Sequence, residues 1–479
     1  MSPSLAALVF IAGIVGLFVL DRDPKSRPSS ALWIPVFWML INASRPVTVW
    51  LQRGTPSDSL ESALDGSPLD AAAYALLLLA GTAVMVMRSQ KAVNFLRANG
   101  PMLAFFGYCA ISVLWSDYPL VALKRWIKAI GDVLMVMIVL TDPDRDVAVK
   151  RLLAWTGFLL VPTSILFIKY YPDLGRGYGR WDGKLYNVGV TTNKNSLGMM
   201  CLVVGLSALW QFLLTLKSKK SPRRLKKLIA QGMLAGMVIW LLTIADSATS
   251  IACFGLAGTL IVATSFSWFA RRPRMVHCMT FSLLAIAVSA LFLNVGSGAL
   301  ESLGRDSTLT GRTEIWRRLF GLVDNPLFGS GFESFWLSDK IDTTFTFFYR
   351  LNEAHNGYIE VFLNGGWVGI TLLAILLATG YRNIAKAFRG ERDFARLRMA
   401  YLLAGLIYCT TEAGFRMMSP VWILILLSIA NVPGPRSCKV AARTPESQDA
   451  TVIHEEERSE VEPEIALSTF RFTSVTGLR

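Results

Sequence analysis

The sequence predicts an all-α polytopic membrane protein with about 12–13 transmembrane helices. Of the 479 residues, 53% are hydrophobic and the mean hydropathy is +0.45, which is too apolar for a soluble globular protein. Apolar runs recur that are long enough to cross a hydrocarbon core of about 30 Å. The short alternating segments of a transmembrane barrel are absent.

The apolar runs predict thirteen spans, at residues 4–20, 31–43, 71–87, 101–115, 120–141, 152–170, 195–216, 228–246, 250–269, 276–294, 357–379, 399–413 and 418–432. The first run has no basic residues before it, so we interpret it as a retained helix rather than a signal peptide.

The net charge of +14 comes largely from short basic segments between the apolar runs. Four of them fall on one side of the membrane under this assignment: 88–97, 217–227, 270–274 and 381–398. Basic loops of this kind mark the cytoplasmic side, so we expect no nucleic-acid partner.

The predicted organisation has four parts: N-terminal transmembrane helices (1–294), a large outer loop (295–356), C-terminal transmembrane helices (357–432) and a disordered cytoplasmic tail (433–479). The tail contains the acidic stretch "HEEERSEVEPE", which is poor in aromatic residues. None of the six cysteines belongs to a CxxC pair, and we expect neither a disulfide framework nor a zinc site.

The outer loop is rich in aromatic residues, which indicates that it folds. Within "GRTEIWRRLFGLV" (311–323), apolar residues recur at helical spacing and form one face. This segment is predicted to be a short interfacial helix lying on the bilayer.

His355 is the best candidate for acid–base chemistry. The chain has three histidines, and only His355 falls in the outer loop, in "NEAHNG". A neutral imidazole can accept a proton from a hydroxyl group near neutral pH. Glu353 and Asn356 flank it and are candidates for binding substrate. A purely structural histidine is the alternative, and a metal site is disfavoured because no second histidine is predicted outside.

Basic residues of the outer face are candidates for holding a phosphate group, because guanidinium groups bind phosphate oxygens bidentately. Arg312 is the strongest, since it opens the loop helix. Arg180, Lys194 and Asn195 lie in a Gly- and Asn-rich segment (177–198), and Arg125 follows an outer turn. The alternatives are arginines that reach lipid headgroups and an ordinary capped loop.

Three motifs of the outer region, "LTGRTEIW", "NPLFGSGFESF" and "EAHNGYIEVFLNGGWVGI", together resemble the O-antigen ligase and Wzy-type polysaccharide polymerase superfamily. "WSDYP" with "LKR", and "GVTTNKNSLG", are similar to motifs of its ExoQ-like exopolysaccharide polymerase branch. The resemblance implies a GT-C-like glycosyltransferase of the bacterial inner membrane, with its active site on the periplasmic side.

The resemblance further implies that a glycan moves from an undecaprenyl-diphosphate carrier to an acceptor sugar hydroxyl without a metal or other cofactor. It assigns the catalytic base to His355 and diphosphate binding to Arg312. Attack opposite the diphosphate predicts inversion at the sugar carbon. One departure is Ala248 in "IADSATSIACF", where the family often has a basic residue; Arg180 is the expected replacement.

Polymerisation of exopolysaccharide or O-antigen repeat units is the favoured function, and joining O-antigen to lipid A core is the alternative within the family. A lipid-linked glycan transporter and a non-catalytic scaffold are the alternatives from other classes. The expected partners are the lipid-linked oligosaccharide, membrane lipids, a flippase and a chain-length regulator.

Overall fold

The computed structural model describes residues 1–23, 28–51, 66–179, 183–270, 272–292, 310–338, 340–341 and 352–432. Almost all regular structure in these ranges is helical. The helices before residue 176 are α1 Pro3–Asp21, α2 Trp33–Asn42, α3 Val47–Trp50, α4 Pro68–Met87, α5 Ser89–Ala98, α6 Gly100–Ile111, α7 Pro119–Leu140, α8 Arg145–Tyr170 and α9 Pro172–Gly175.

A small antiparallel hairpin follows, formed by β1 Arg176–Tyr178 and β2 Leu185–Asn187. The later helices are α10 Lys194–Lys217, α11 Pro222–Ile244, α12 Ala248–Ser265, α13 Ser267–Ala270, α14 Pro273–Phe292, α15 Thr310–Gly321, α16 Gly357–Ala387, α17 Arg392–Tyr408 and α18 Pro420–Ile429. The predicted tail, 433–479, lies outside the described residues.

The predicted class, a polytopic helical membrane protein, is confirmed, and a helix lies at each of the thirteen expected positions. By length and composition, eight helices of the described residues can cross a membrane. The count rises to nine if α5 and the segment Gly100–Trp115, which meet at 89°, form one broken span. This is fewer than the expected number because α2 and α18 have only 10 residues each, α17 has 17 residues, and α7 carries several charges.

The basic segments lie together at one end of the helices, away from His355. Arg145, at the start of α8, pairs with Glu391 at 2.6 Å, and Lys227 of α11 pairs with Asp23 after α1 at 3.0 Å. Helix α10 connects the two ends: it begins beside Glu412, near His355, and ends at Lys217. Its 24 residues span ~36 Å at the rise of an α-helix. This arrangement supports the prediction that the basic segments share one side of the membrane. The orientation of that side in a cell stays a prediction.

Helix α16 is interrupted at Gly366, which has a φ of 59° and a ψ of −160°. The backbone of the motif "NPLFGSG" lies against the interruption. There the N–H groups of Trp367 and Val368 donate to the carbonyls of Pro326 and Leu327, at 2.9 and 3.1 Å. Backbone groups released by the break are thereby hydrogen-bonded within the protein, as a low-dielectric environment requires. These hydrogen bonds therefore attach the outer segment to α16 at its interruption.

The loop helix predicted at 311–323 is present as α15, Thr310–Gly321. Its residues Trp316 and Leu319 are buried against protein, in a cluster with Phe335 and Trp336. Phe320 remains 47% exposed. The amphipathic face is thus used largely to attach α15 to the outer segment, and contact of α15 with the bilayer stays a prediction.

Candidate functional site

His355 lies at a bend of the chain directly before α16. Its neighbour Asn356 is the N-cap: the side-chain oxygen accepts from Tyr358 N and Ile359 N at 3.0 and 3.1 Å. The backbone of His355 has a φ of 49°, in the left-handed region that a residue with a side chain rarely adopts. Such strain persists only where the surroundings enforce it, and it is often found at functional sites.

Two carboxylates face the same nitrogen of His355. The Nδ1 atom lies 3.1 Å from Glu353 Oε1 and 3.5 Å from Glu412 Oε2. Nδ1 is buried, and neither approach has hydrogen-bond alignment in this conformation. Glu412 belongs to the turn after α17 and is buried. With Nδ1 directed at carboxylates, Nε2 is the ring nitrogen left to meet an acceptor hydroxyl.

The carboxylates change the acidity of the ring. Burial alone would lower the pKa of His355, and the nearby Arg312 also lowers it. Glu412 and Glu353 outweigh both effects and raise the pKa above its usual value. The arrangement therefore stabilises the imidazolium that forms when His355 takes a proton.

On the loop helix α15, Arg312 is the cation nearest to His355 and its two carboxylates. Its Nη1 atom donates to the carbonyl of Thr411 at 2.7 Å, in the residue before Glu412. The Thr411 hydroxyl lies 2.9 Å from that of Thr249, in the first turn of α12. Arg312 and the start of α12, where Ala248 replaces the expected basic residue, thus lie on either side of Thr411.

Lys194 supplies a positive charge near the start of α12. Its Nζ atom is 2.9 Å from Asp246 Oδ2, close to Ala248, and lies 3.7 Å from the centre of the Tyr186 ring. The next residue, Asn195, donates its side-chain N–H to Glu412 Oε1 at 3.2 Å. The start of α10 therefore places Asn195 at the His355 site, with Lys194 next to it in the chain.

A second guanidinium, Arg416, was not predicted. It lies 3.8 Å from Glu353 Oε2 and 3.5 Å from Glu333 Oε2. The predicted Arg125 donates to the backbone carbonyl of Glu333, whose side chain lies beside Arg416. Arg416 and Glu333 also line a narrow, largely apolar cavity of about 40 Å³.

The structure thus brings together four of the predicted residues, His355, Glu353, Arg312 and Asn195, whereas Lys194 contacts Asp246 and Tyr186. Asn356 uses its oxygen for the cap and donates from Nδ2 to Thr410 O at 3.1 Å. A direct contact of Asn356 with substrate therefore stays a prediction without support from this geometry. Arg180, the expected replacement for Ala248, lies outside the described residues.

The same groups have the composition of a weak metal site. Among the residues that the structure describes, Glu353, His355 and Glu412 offer ligand atoms within 4.8 Å of one another. Sequence reasoning missed this triad because Glu412 is remote in the chain. The positive charge of Arg312 beside it disfavours a further cation, and the absence of a metal stays a prediction.

The fold and site define a multi-pass membrane protein with a histidine–carboxylate centre and converging cations at one end of its helices. Residues 235–374 match the family model "O-Antigen ligase". The chain is also 23% identical to the exopolysaccharide production protein ExoQ of Rhizobium meliloti (strain 1021). This similarity extends over 365 residues, covering 71% of this chain and 78% of that protein. The resemblance to the O-antigen ligase and ExoQ-like family, stated from the motifs, is confirmed.

The matched family segment contains Arg312 and His355. It ends before Glu412 and Arg416 and begins after Lys194 and Asn195. The contacts of Glu412 with His355, of Arg416 with Glu353 and of Asn195 with Glu412 are therefore information that the three-dimensional structure adds.

Proposed function

We propose that the protein is a periplasmic-face glycosyltransferase that uses an undecaprenyl-diphosphate-linked glycan as donor and a sugar hydroxyl as acceptor. The observation that carries the proposal is the contact of His355 Nδ1 with both Glu353 and Glu412, beside Arg312. The family match and the similarity to ExoQ support polysaccharide assembly as the setting.

His355 acts as the general base in this proposal. Nε2 takes the proton of the acceptor hydroxyl as its oxygen attacks the anomeric carbon. Glu353 and Glu412 offset the positive charge that develops on the ring, as the carboxylate of a Ser-His-Asp triad does. A positioned base of this kind typically accelerates a reaction about 10²–10⁴-fold.

Arg312 and Lys194 stabilise the leaving diphosphate. Its negative charge grows as the bond between the anomeric carbon and the phosphate oxygen breaks, and fixed cations in a site of low dielectric act strongly on such charge. Lys194, which lies beside Asp246 near Ala248, is the described residue best placed to supply the missing basic group. Departure of the diphosphate opposite to the attacking oxygen inverts the configuration.

Polymerisation of repeat units is favoured over ligation to lipid A core because the relative with the long alignment is an exopolysaccharide production protein. The transporter alternative predicts charged groups along a path through the spans. The charged groups of the candidate site instead lie at one end of the helices, with Arg312, Glu353 and Glu412 close to His355.

Purified protein in proteoliposomes with lipid-linked repeat units tests the proposal directly. Formation of longer lipid-linked glycan, followed by gel mobility, is expected for the wild type and for His277→Ala. His277 is the matched control, because it contacts Tyr381 of α16 at the other end. His355→Ala is expected to form no product. Glycan translocation without chain growth in the wild type would favour the transporter instead.

A further inference from the structure

A polar cavity of about 610 Å³ lies at the end of the helices opposite His355, between α1, α8, α10 and α11. Its charged lining residues are Lys150, Arg151, Lys219, Arg223, Arg224, Lys227, Asp21, Asp23 and Asp144. Six basic groups against three acidic groups leave a surplus of three positive charges. The proposed glycosyl transfer uses none of these residues.

Internal contacts preorganise part of this lining. Lys227 pairs with Asp23 at 3.0 Å, and Gln231 donates to Asp21 at 3.2 Å. Arg224 donates to the carbonyl oxygens of Thr215 and Leu216, which closes one edge of the cavity. Lys219 and Arg223 are exposed residues of the lining, and within the part of the chain that the structure describes no ion pair offsets the charge that they bring.

An apolar groove of about 300 Å³ adjoins the polar cavity, and Asp21 and Arg151 line both. Val15, Phe18, Val19 and Trp155 form most of the groove, on the outer surface of α1 and α8. Val15 and Val19 are 55% and 63% exposed, on a helix that is apolar enough to span a membrane. The groove therefore runs from the charged cavity along the part of the surface that faces acyl chains.

We propose that this composite site binds an anionic phospholipid, with its phosphodiester in the basic cavity and one acyl chain in the groove between α1 and α8. Basic pockets between transmembrane helices suit phospholipid headgroups because both the charge and the adjoining apolar surface match. The occupant is a lipid of the leaflet on the basic side of the protein. The site is independent of the His355 chemistry.

Native mass spectrometry of the full chain in neutral detergent measures the binding. The probes are phosphatidylglycerol, phosphatidylcholine with the same acyl chains, and glycerol 3-phosphate as a free headgroup. The test variant is Lys219→Gln/Arg223→Gln. The matched control is Lys220→Gln/Lys226→Gln, which removes the same charge from the same segment outside the cavity lining.

Phosphatidylglycerol is expected to bind the wild type and the control more tightly than phosphatidylcholine does. The test variant is expected to bind it about 30-fold more weakly, which is about 2 kcal/mol for two basic groups. Val19→Trp, which fills the groove, is expected to weaken binding of the lipid and to leave binding of glycerol 3-phosphate unchanged. Equal losses in the test and control variants would overturn the site. Binding of glycerol 3-phosphate as tight as that of the lipid would overturn the lipid assignment.

Discussion

His355 Nδ1 lies 3.5 Å from Glu412 Oε2, although the two residues come from different elements. His355 precedes α16, whereas Glu412 follows α17 and also accepts from Asn195 of α10. One carboxylate thus connects α10 and α17 to the ring that precedes α16. The position of Glu412 makes the acidity of His355 a property of the assembled helices rather than of the motif "EAHN" alone.

Glu353→Gln tests the electrostatic role of the first carboxylate. Because Glu353 raises the pKa of His355, its removal lowers that pKa. The base form then persists to lower pH, and the acid limb of the rate profile moves to lower pH. Glu412→Gln is expected to move it in the same direction, since Glu412 also raises the pKa of His355.

The pH profile of polymer formation in proteoliposomes gives this measurement. Glu314→Gln is the control, because Glu314 pairs with Arg317 and Arg318 on the outer side of α15. An acid limb that stays in place in both Glu353→Gln and Glu412→Gln, while the rate remains measurable, would show that His355 is not the titrating base.

Arg312→Ala is expected to lower the rate about 10²–10³-fold, by analogy with the loss of one charge-stabilising donor. Arg312 also lowers the pKa of His355, so the acid limb of Arg312→Ala moves to higher pH, opposite to the carboxylate variants. Arg312→Lys retains the charge and is expected to restore part of the rate. Initial rates measured across a range of pH give both the fall in rate and the shift of the acid limb.

Arg317→Ala is the matched control for Arg312→Ala, since Arg317 lies on the same helix with a side chain that is 80% exposed. Its rate is expected to stay near that of the wild type. Similar losses in both arginine variants would point to a general role of the positive charge on α15, and not to a specific contact with the diphosphate.

Gly366→Ala is expected to destabilise the protein. A Cβ atom at Gly366 would lie 2.4 Å from Leu327 backbone atoms, and its φ of 59° is unfavourable for alanine. Strained backbone of this kind costs about 1–3 kcal/mol before the clash is counted. Thermal unfolding in detergent measures the effect. In the control Gly365→Ala, the nearest atom is Tyr108 Cε1 at 3.4 Å, and an unfolding temperature near the wild type is expected.

A chelator tests the choice between base and metal ligand for His355. The proposed mechanism predicts that prolonged treatment with EDTA leaves polymer formation unchanged, because Arg312 and Lys194 hold the diphosphate. Loss of activity that a single added divalent metal restores would assign Glu353, His355 and Glu412 as ligands.

A helix lies at each position that hydropathy predicted, because a membrane span requires a long apolar run, which is a local property of the chain. The interruption at Gly366 and the 89° bend between α5 and α6 could not be predicted in this way. Both depend on contacts with remote segments, such as that of Leu327 with Val368.

The site was predictable to the extent that its residues occur in compact motifs. His355, Glu353 and Arg312 lie in such motifs, and Lys194 and Asn195 open a helix after a polar loop. Glu412 and Arg416 lie in the short turn between α17 and α18, and their proximity to His355 arises only from helix packing. The sequence indicated them only as ionisable residues in a short turn that lies on the same side of the membrane as the outer loop.

Polymer output from a deletion strain complemented with His355→Ala tests the role of His355 as the base, with His277→Ala as control and membrane insertion verified for both. Loss of long polymer and accumulation of lipid-linked repeat units are expected in His355→Ala alone. Normal polymer from His355→Ala would contradict the assignment of His355 as the base and leave it as a structural residue before α16.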